Sequence, residues 1–323
     1  MTLAVLPVLL AGCWACMISM PGDSWSGPLQ PLSREEQAVA GGLRRDVEML
    51  AGTIGNRNLF ASSKLVQAAD FIEARFKEAG LAPTREVFDT RMGKASNIEA
   101  EIRGDRQPGE IVIIGAHYDS VFSCPGANDN ATGVAALLAL ASALAGHPGP
   151  RTLRFVAFAN EEPPFWETEA MGSRVHARRC RERGEKIVAM ISLETLGCYS
   201  DRDGSQRYPF PVGLFYPSRG NFAAFVGNLG SRSLVRRIVG SFRKHAPFPS
   251  EGAALPSWIP GVGWSDHSSF WSEGYPAVMV TDTAPFRYAH YHTAQDTPDK
   301  VDFDRCARVV VGLRKVVEEL AGE

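Results

Sequence analysis

The chain has 323 residues, 45% of them hydrophobic and 22% charged, with a formal net charge of -2. This is an ordinary globular composition with length enough to bury a large core, as one α/β domain or two smaller ones. The near-neutral charge supplies no basic field for nucleic acid, and the one basic run, Arg174 to Lys186, alternates Arg with Glu and apolar residues as a solvated helix face does.

Met1 to Met20 is apolar and almost uncharged. The stretch is too short for a transmembrane span, but its length suits the hydrophobic part of a secretion signal. It runs through Leu10-Ala11-Gly12-Cys13, which is similar to the bacterial lipoprotein processing motif, where the Cys carries lipid after cleavage. No Lys or Arg precedes the apolar run, a departure from the usual basic start. The expectation is residues 1–12 as a signal and an exported protein, periplasmic or at the cell surface, attached to the membrane through a lipidated Cys13. The remaining cysteines, Cys16, Cys124, Cys180, Cys198 and Cys306, form no C-x-x-C pair among themselves, so a structural zinc finger is excluded.

Residues 13–32, rich in Pro, Gly and Ser from Pro21 to Pro31, read as a linker to a folded body over 33–323. Ser33-Arg34-Glu35-Glu36 predicts a capping box ahead of a polar helix ending near Gly52. From Ser62 to Ala79, Leu65, Ala68, Phe71, Ile72 and Phe76 share one helical face, and Gly80 stops the helix. Ile111 to Gly115 is a continuous apolar run, as expected of a strand covered on both faces. Buried strands follow at Leu153 to Ala159, Ile187 to Leu193 and Ala277 to Val280, with helices at Val134 to Leu144 and Cys306 to Leu320. This alternation predicts a single three-layer α/β/α domain with a mostly parallel central sheet. In such sheets ligands sit beyond the carboxyl ends of the strands.

Polar groups collect at those ends. The first buried strand runs into His117-Tyr118-Asp119, and Gly126-Ala127-Asn128-Asp129-Asn130 precedes the next helix. The second strand ends in Asn160-Glu161-Glu162, the third in Ser192-Leu193-Glu194, and Tyr291-His292-Thr293 follows the fourth. Carboxylates stacked this closely repel one another unless cations neutralise them, and imidazole with carboxylate suits zinc. The period of two places His117 and Asp119 on one side of the extended chain, where Asp119 can orient the imidazole. A Glu161-Glu162 pair after a buried strand is best explained as a base beside a ligand.

His117-x-Asp119, Gly126-x-x-Asp129-Asn130-x-x-Gly133, Asn160-Glu161-Glu162, Ser192-Leu193-Glu194 and Tyr291-His292-Thr293-x-x-Asp296-Thr297 stand in the order of the co-catalytic zinc aminopeptidases. That family includes the bacterial secreted leucyl aminopeptidases and glutamate carboxypeptidase II. Ser265-Asp266-His267-Ser268-Ser269-Phe270 and Gly274-Tyr275-Pro276-Ala277 also resemble it, and the likeness covers roughly residues 95 to 310. It implies a zinc peptidase domain acting on a peptide or aminoacyl substrate through two zinc ions. Asp129 would bridge them, with His117 and Glu194 completing one site, Glu162 and His292 the other, and Glu161 acting as general base.

Two departures stand out. The family usually has Asp where this chain has Glu194. The stretch Pro163 to Met171, between Glu162 and Gly172-Ser173, is longer than in compact members; it is expected to shape the pocket wall and resembles the glutaminyl cyclases, relatives that use one zinc. A single-zinc cyclase and a non-catalytic binding domain on the same fold are therefore the alternative readings. His267 is expected to be structural or to lie outside the ligand set, and His290 to point away from the site. Trp258, Trp264, Phe270 and Trp271 are candidates for either pocket or core.

Overall fold

The apolar run Ile111 to Gly115 is the middle of a longer strand at the centre of a sheet. In the computed structural model, which describes Gly12 and residues 17–322, the strands are β1 (Thr84–Thr90), β2 (Gly93–Ile102), β3 (Gln107–His117), β4 (Arg151–Phe158), β5 (Lys186–Glu194), β6 (Ala223–Gly227), β7 (Ser250–Ala254) and β8 (Ala277–Thr281). They form one eight-stranded sheet in the order β1-β2-β4-β3-β5-β8-β6-β7. The core β4-β3-β5-β8 is parallel, while β1, β2 and the β6–β7 pair run against their inner neighbours. The expected signal up to residue 11 and Cys13 lie outside the described residues, among which no helix is long and apolar enough to cross a membrane.

The helices are α1 (Arg34–Val47), α2 (Ser62–Glu78), α3 (Thr132–Leu144), α4 (Gly172–Glu182), α5 (Arg232–His245), α6 (His267–Ser272), α7 (Ala284–Arg287) and α8 (Phe303–Gly322). In β3, Val112, Ile114 and Ala116 join the core under α2, α3 and α8, whereas Ile111 and Ile113 join a second core under α4 and α6. The period-two alternation thus buries both faces, and each such Ile or Val contributes roughly 1.5–3 kcal/mol. The three-layer α/β/α architecture with a mostly parallel sheet is as the sequence predicts.

At Ser33 both arms of the capping box form: Glu36 N–H donates to Ser33 Oγ at 3.2 Å, and Ser33 N–H to Glu36 Oε2 at 2.7 Å. The helix continues past Val47 in wider turns to Ile54, and Gly55, at φ +74°, ends it. The stretch read as a linker lies along this body, with Arg243 donating to the Gly22 carbonyl at 2.7 Å and Ser250 N–H to Ser24 Oγ at 2.9 Å. Cys124, Cys180, Cys198 and Cys306 are unpaired thiols.

Candidate metal centre

Each acidic or imidazole side chain at the carboxyl edge is set by its place in a strand or turn. His117 closes β3 and Glu194 closes β5, two positions beyond the paired Gly115 and Ser192, so the two rise side by side from one face. Asp129 lies in the turn between β3 and α3. That turn needs Gly126, at φ +64°, where a Cβ would stand 2.3 Å from the Asp129 carbonyl, and Gly133, where a Cβ would stand 2.3 Å from Asn130 Oδ1. Asn160, Thr195 and His292 adopt left-handed backbone at φ +60°, +50° and +57°. Such conformations cost on the order of 1–3 kcal/mol each and here turn Glu161, Glu194 and the His292 ring toward one point.

The side chains converge around Asp129. Its Oδ1 is 3.3 Å from His117 Nε2 and its Oδ2 is 3.1 Å from His292 Nε2, so the carboxylate faces both imidazoles at once. Glu194 Oε2 is 3.3 Å from His117 Nε2, and Glu162 Oε2 is 3.3 Å from His292 Nε2. Glu161 Oε2 stands farther off, 3.9 Å from His117 Nε2. Potential donors cluster as His117, Glu161 and Glu194 in one group and as Asp129, Glu162 and His292 in the other. Both nitrogens of His117, Asp129 Oδ1 and Glu162 Oε1 are buried without a hydrogen-bond partner. Bonds of about 2.0–2.2 Å at tetrahedral angles would space donor atoms roughly 3.3–3.6 Å apart, so these gaps fit a zinc ion better than a hydrogen bond.

Electrostatics point the same way. Burial, then Asp129, pushes the Glu162 carboxyl up to about 7, against His292. Burial also raises Glu161 well above the carboxylate range; His117 opposes this, while Glu162, Glu194 and Asp266 add to it. Burial would raise Asp129 too, but the His117 and His292 rings beside it hold it below its ordinary value. His292 in turn is lifted to about 10 by Asp129 and Glu162, despite burial. With four carboxylates around two imidazoles, the site draws positive charge from whatever source is present.

A shell of polar groups fixes the turns. Asp119 stands 3.5 Å from His117 Nδ1, beside the ring as expected, and its two oxygens accept the N–H groups of Glu161 and Glu162 at 3.0 and 3.1 Å. Asp296 accepts the N–H groups of Asn128 and Asp129 at 2.8 and 3.0 Å, and Ser265 donates to Glu194 Oε2 at 2.7 Å. Asn130 Oδ1 accepts from Gly133 and Thr195, tying the Asp129 turn to the end of β5. Arg57, fully buried, donates to the carbonyls of Tyr118, Pro125 and Gly126 and so ties down the loop between His117 and Asp129. No periodicity or motif marks Arg57; its partners are carbonyls, which leave no trace in side-chain patterning.

Beside Glu194 and Tyr291 opens an apolar pocket walled by Tyr208, Tyr216, Val226 and Trp264. Its lining includes no residue of Pro163 to Met171, correcting the expectation that this loop shapes the wall. The loop instead folds on itself in successive turns around the buried Phe165. Of the four aromatic candidates, Trp264 lines the pocket, Phe270 is core, Trp258 is exposed, and Trp271 donates to the Ala277 carbonyl. His267 Nε2 donates to the Val262 carbonyl at 2.8 Å, and burial lowers the ring's pKa to about 4. His290 packs edge-on against Tyr288 and belongs to neither donor group.

The same architecture recurs in known proteins. The chain resembles the structure of a zinc aminopeptidase from Bacillus subtilis, with a TM-score of 0.70 at 14% identity over 91% of this chain and 97% of that one. It also resembles the Fimbriiglobus ruber glutaminyl cyclase, with a TM-score of 0.65 at 20% identity over 93% and 99%. At these identities the likeness is one of fold. In sequence it is 37% identical to the uncharacterized protein YfbL of Escherichia coli strain K12 over 280 residues, 84% of this chain and 85% of that one. The profile of peptidase family M28 matches residues 97–317, a span that holds every donor around Asp129, and the chain belongs to that family.

Proposed function

We propose that the protein is a zinc aminopeptidase that holds two metal ions, one on each side of Asp129. The observation that carries this reading is the pair of Asp129 oxygens turned to two imidazoles, each with its own glutamate at 3.3 Å. His117 and Glu194 would hold the first ion, and His292 and Glu162 the second. Glu194 reaches the His117 nitrogen despite the extra methylene over the family's Asp, which supports a competent first site. When bound, zinc supplies a Lewis acid for the scissile carbonyl and acidifies water.

The chain's own groups do the rest. Glu161 accepts the proton of the attacking water and delivers it to the departing amine, as the one carboxylate of the set with no short imidazole contact. Asp119 positions Glu161 and Glu162 through their backbone and stands beside the His117 ring. The same reading has the enzyme exported and lipid-anchored through Cys13, supported by the apolar Met1 to Met20 and by Leu10-Ala11-Gly12-Cys13. Mass analysis of the amino-terminal peptide from a membrane fraction tests that part.

Zinc content and substrate choice test the main reading. The purified protein is expected to carry two equivalents of zinc, to lose activity to a chelator, and to hydrolyse aminoacyl amides. One equivalent of zinc with cyclisation of a glutaminyl peptide would move the cyclase reading to the front. Two equivalents without turnover of either substrate would favour a binding domain.

A further inference from the structure

Across the carboxyl edge of the sheet, Glu194 pairs with Thr281, Thr281 with Ala224, and Ala224 with Glu251. Residues in register share a face, so Glu251 on β7 rises from the same floor as Glu194, three inter-strand spacings or about 14 Å away. Between them the floor is low and mostly apolar, with Thr281 and Ala224 in the row and Met279 and Val226 in the next. Two stacked ring pairs, Tyr208 on Tyr216 and Trp264 on Phe286, belong to the walls. The apolar pocket is therefore a chamber with the metal centre at one end and a single carboxylate at the other.

That carboxylate is poorly answered. The Glu251 carboxylate makes no hydrogen bond or salt bridge among the described residues. The cation acting on it, Arg243, is engaged by Ser250 and by the carbonyls of Pro21 and Gly22. Burial outweighs Arg243 and raises the carboxyl above its ordinary range. A half-buried acid at the end of an aromatic chamber gives up hydration without gaining a partner. It is also the group a cationic side chain would meet there.

We propose that Glu251 determines specificity by selecting substrates whose amino-terminal residue is lysine or arginine. The proposal rests on the aminopeptidase reading. With the scissile carbonyl at the metal centre, the long side chain runs along the chamber. Its stem lies on Val226 and the rings, and its head ends at Glu251. A leucine side chain stops short and leaves the acid unpaired, a difference that discriminates against it.

The test compares kcat/KM of the zinc-loaded enzyme for the lysine, arginine, leucine and norleucine 4-nitroanilides, in wild type and Glu251→Gln. Norleucine carries a lysine-like stem without the charge. Lysine is expected to exceed norleucine by about ten- to a hundredfold, the range that a hydrogen bond to a charged group spans, and the ratio to fall toward one in Glu251→Gln. A wild-type enzyme that favours norleucine, or a ratio unchanged in the variant, overturns the proposal. If no anilide is cleaved, the aminopeptidase reading fails on its own. Calorimetry of free arginine against norleucine with the wild-type protein then still reads the chamber. Tighter arginine binding retains Glu251 as the cation site, and equal binding removes it.

Discussion

Two imidazoles in this fold are fully buried among carboxylates, and they are built differently. His176, on α4, has Nδ1 2.9 Å from Glu86 Oε2, and that oxygen also accepts from Asn97 at 2.8 Å. Its Nε2 makes no hydrogen bond and stands 3.8 Å from Glu99 Oε2, but each acid there has an arginine as well, Arg179 at 3.3 Å from Glu86 and Arg154 at 3.5 Å from Glu99, so the charges close among the side chains present. At His117, Asp129 and Glu194 approach one nitrogen to 3.3 Å and Glu161 to 3.9 Å, and neither ring nitrogen makes a hydrogen bond. Burial of a histidine beside acids does not by itself mark a metal centre. Donors held just beyond hydrogen-bond distance, with negative charge left over, do.

The comparison breaks first at the base. Glu161→Gln keeps the shape and removes the proton acceptor. Turnover should fall by roughly 10²–10⁴-fold while zinc content stays at the wild-type level. Near-normal rates would take Glu161 out of the role. Next come the imidazoles themselves. His117→Ala and His292→Ala should each lose about one equivalent of zinc, and thermal stability with it. His176→Ala should keep all the zinc but lower the unfolding free energy by on the order of 3 kcal/mol, because the buried ring and its bond to Glu86 are lost. Zinc loss in His176→Ala, or none in His117→Ala, would invert the contrast.

A milder probe is Glu194, where the chain departs from its family. Glu194→Asp should retain both ions with no more than about a tenfold loss of activity, whereas Glu194→Ala should retain one. A single equivalent in both the wild type and Glu194→Ala would sink the two-metal reading. The smallest effect is a pH dependence of the closed pair. Against burial, the neighbouring Cys180 and the hydrogen bond that His176 donates to Glu86 lift His176 from 6.5 to about 10, so its contribution is complete below pH 6.5 and is lost as pH rises through 10. The stability gap between wild type and Glu86→Gln, from urea titrations, should therefore narrow between pH 6.5 and 10. A gap that stays constant would mean that His176 is neutral throughout.

Where the sequence carries a period it is easy to read. Ile111 to Gly115, Leu153 to Ala159 and Ile187 to Leu193 declare buried strands because both faces must be apolar. The donors follow, since they stand where those strands stop. β1, with one buried residue in seven, and β6 and β7, made largely of Ala and Gly, carry no such signature. β1 is placed by its hairpin with β2, whereas β6 and β7 take their place from strands far away in sequence, and Glu251 is hidden with them. The same limit applies to Arg57 and to the loop from Pro163 to Met171. Carbonyl partners and local turns are decided by three-dimensional closure rather than by composition.

The carboxylate of Asp296 has a consequence for how the protein is made. It clasps the amides of Asn128 and Asp129 from the same segment that bears His292. Chains grow from the amino terminus and can begin folding as they emerge. Every other donor is therefore synthesised before the piece that locks the Asp129 turn. Until residue 296 has docked, the turn lacks its clasp and the second imidazole is missing, so a truncated or nascent chain has no finished site in which to trap an ion. Completion of the centre therefore waits on a late segment, and a metal acquired there reports that the chain has been made at least through residue 296.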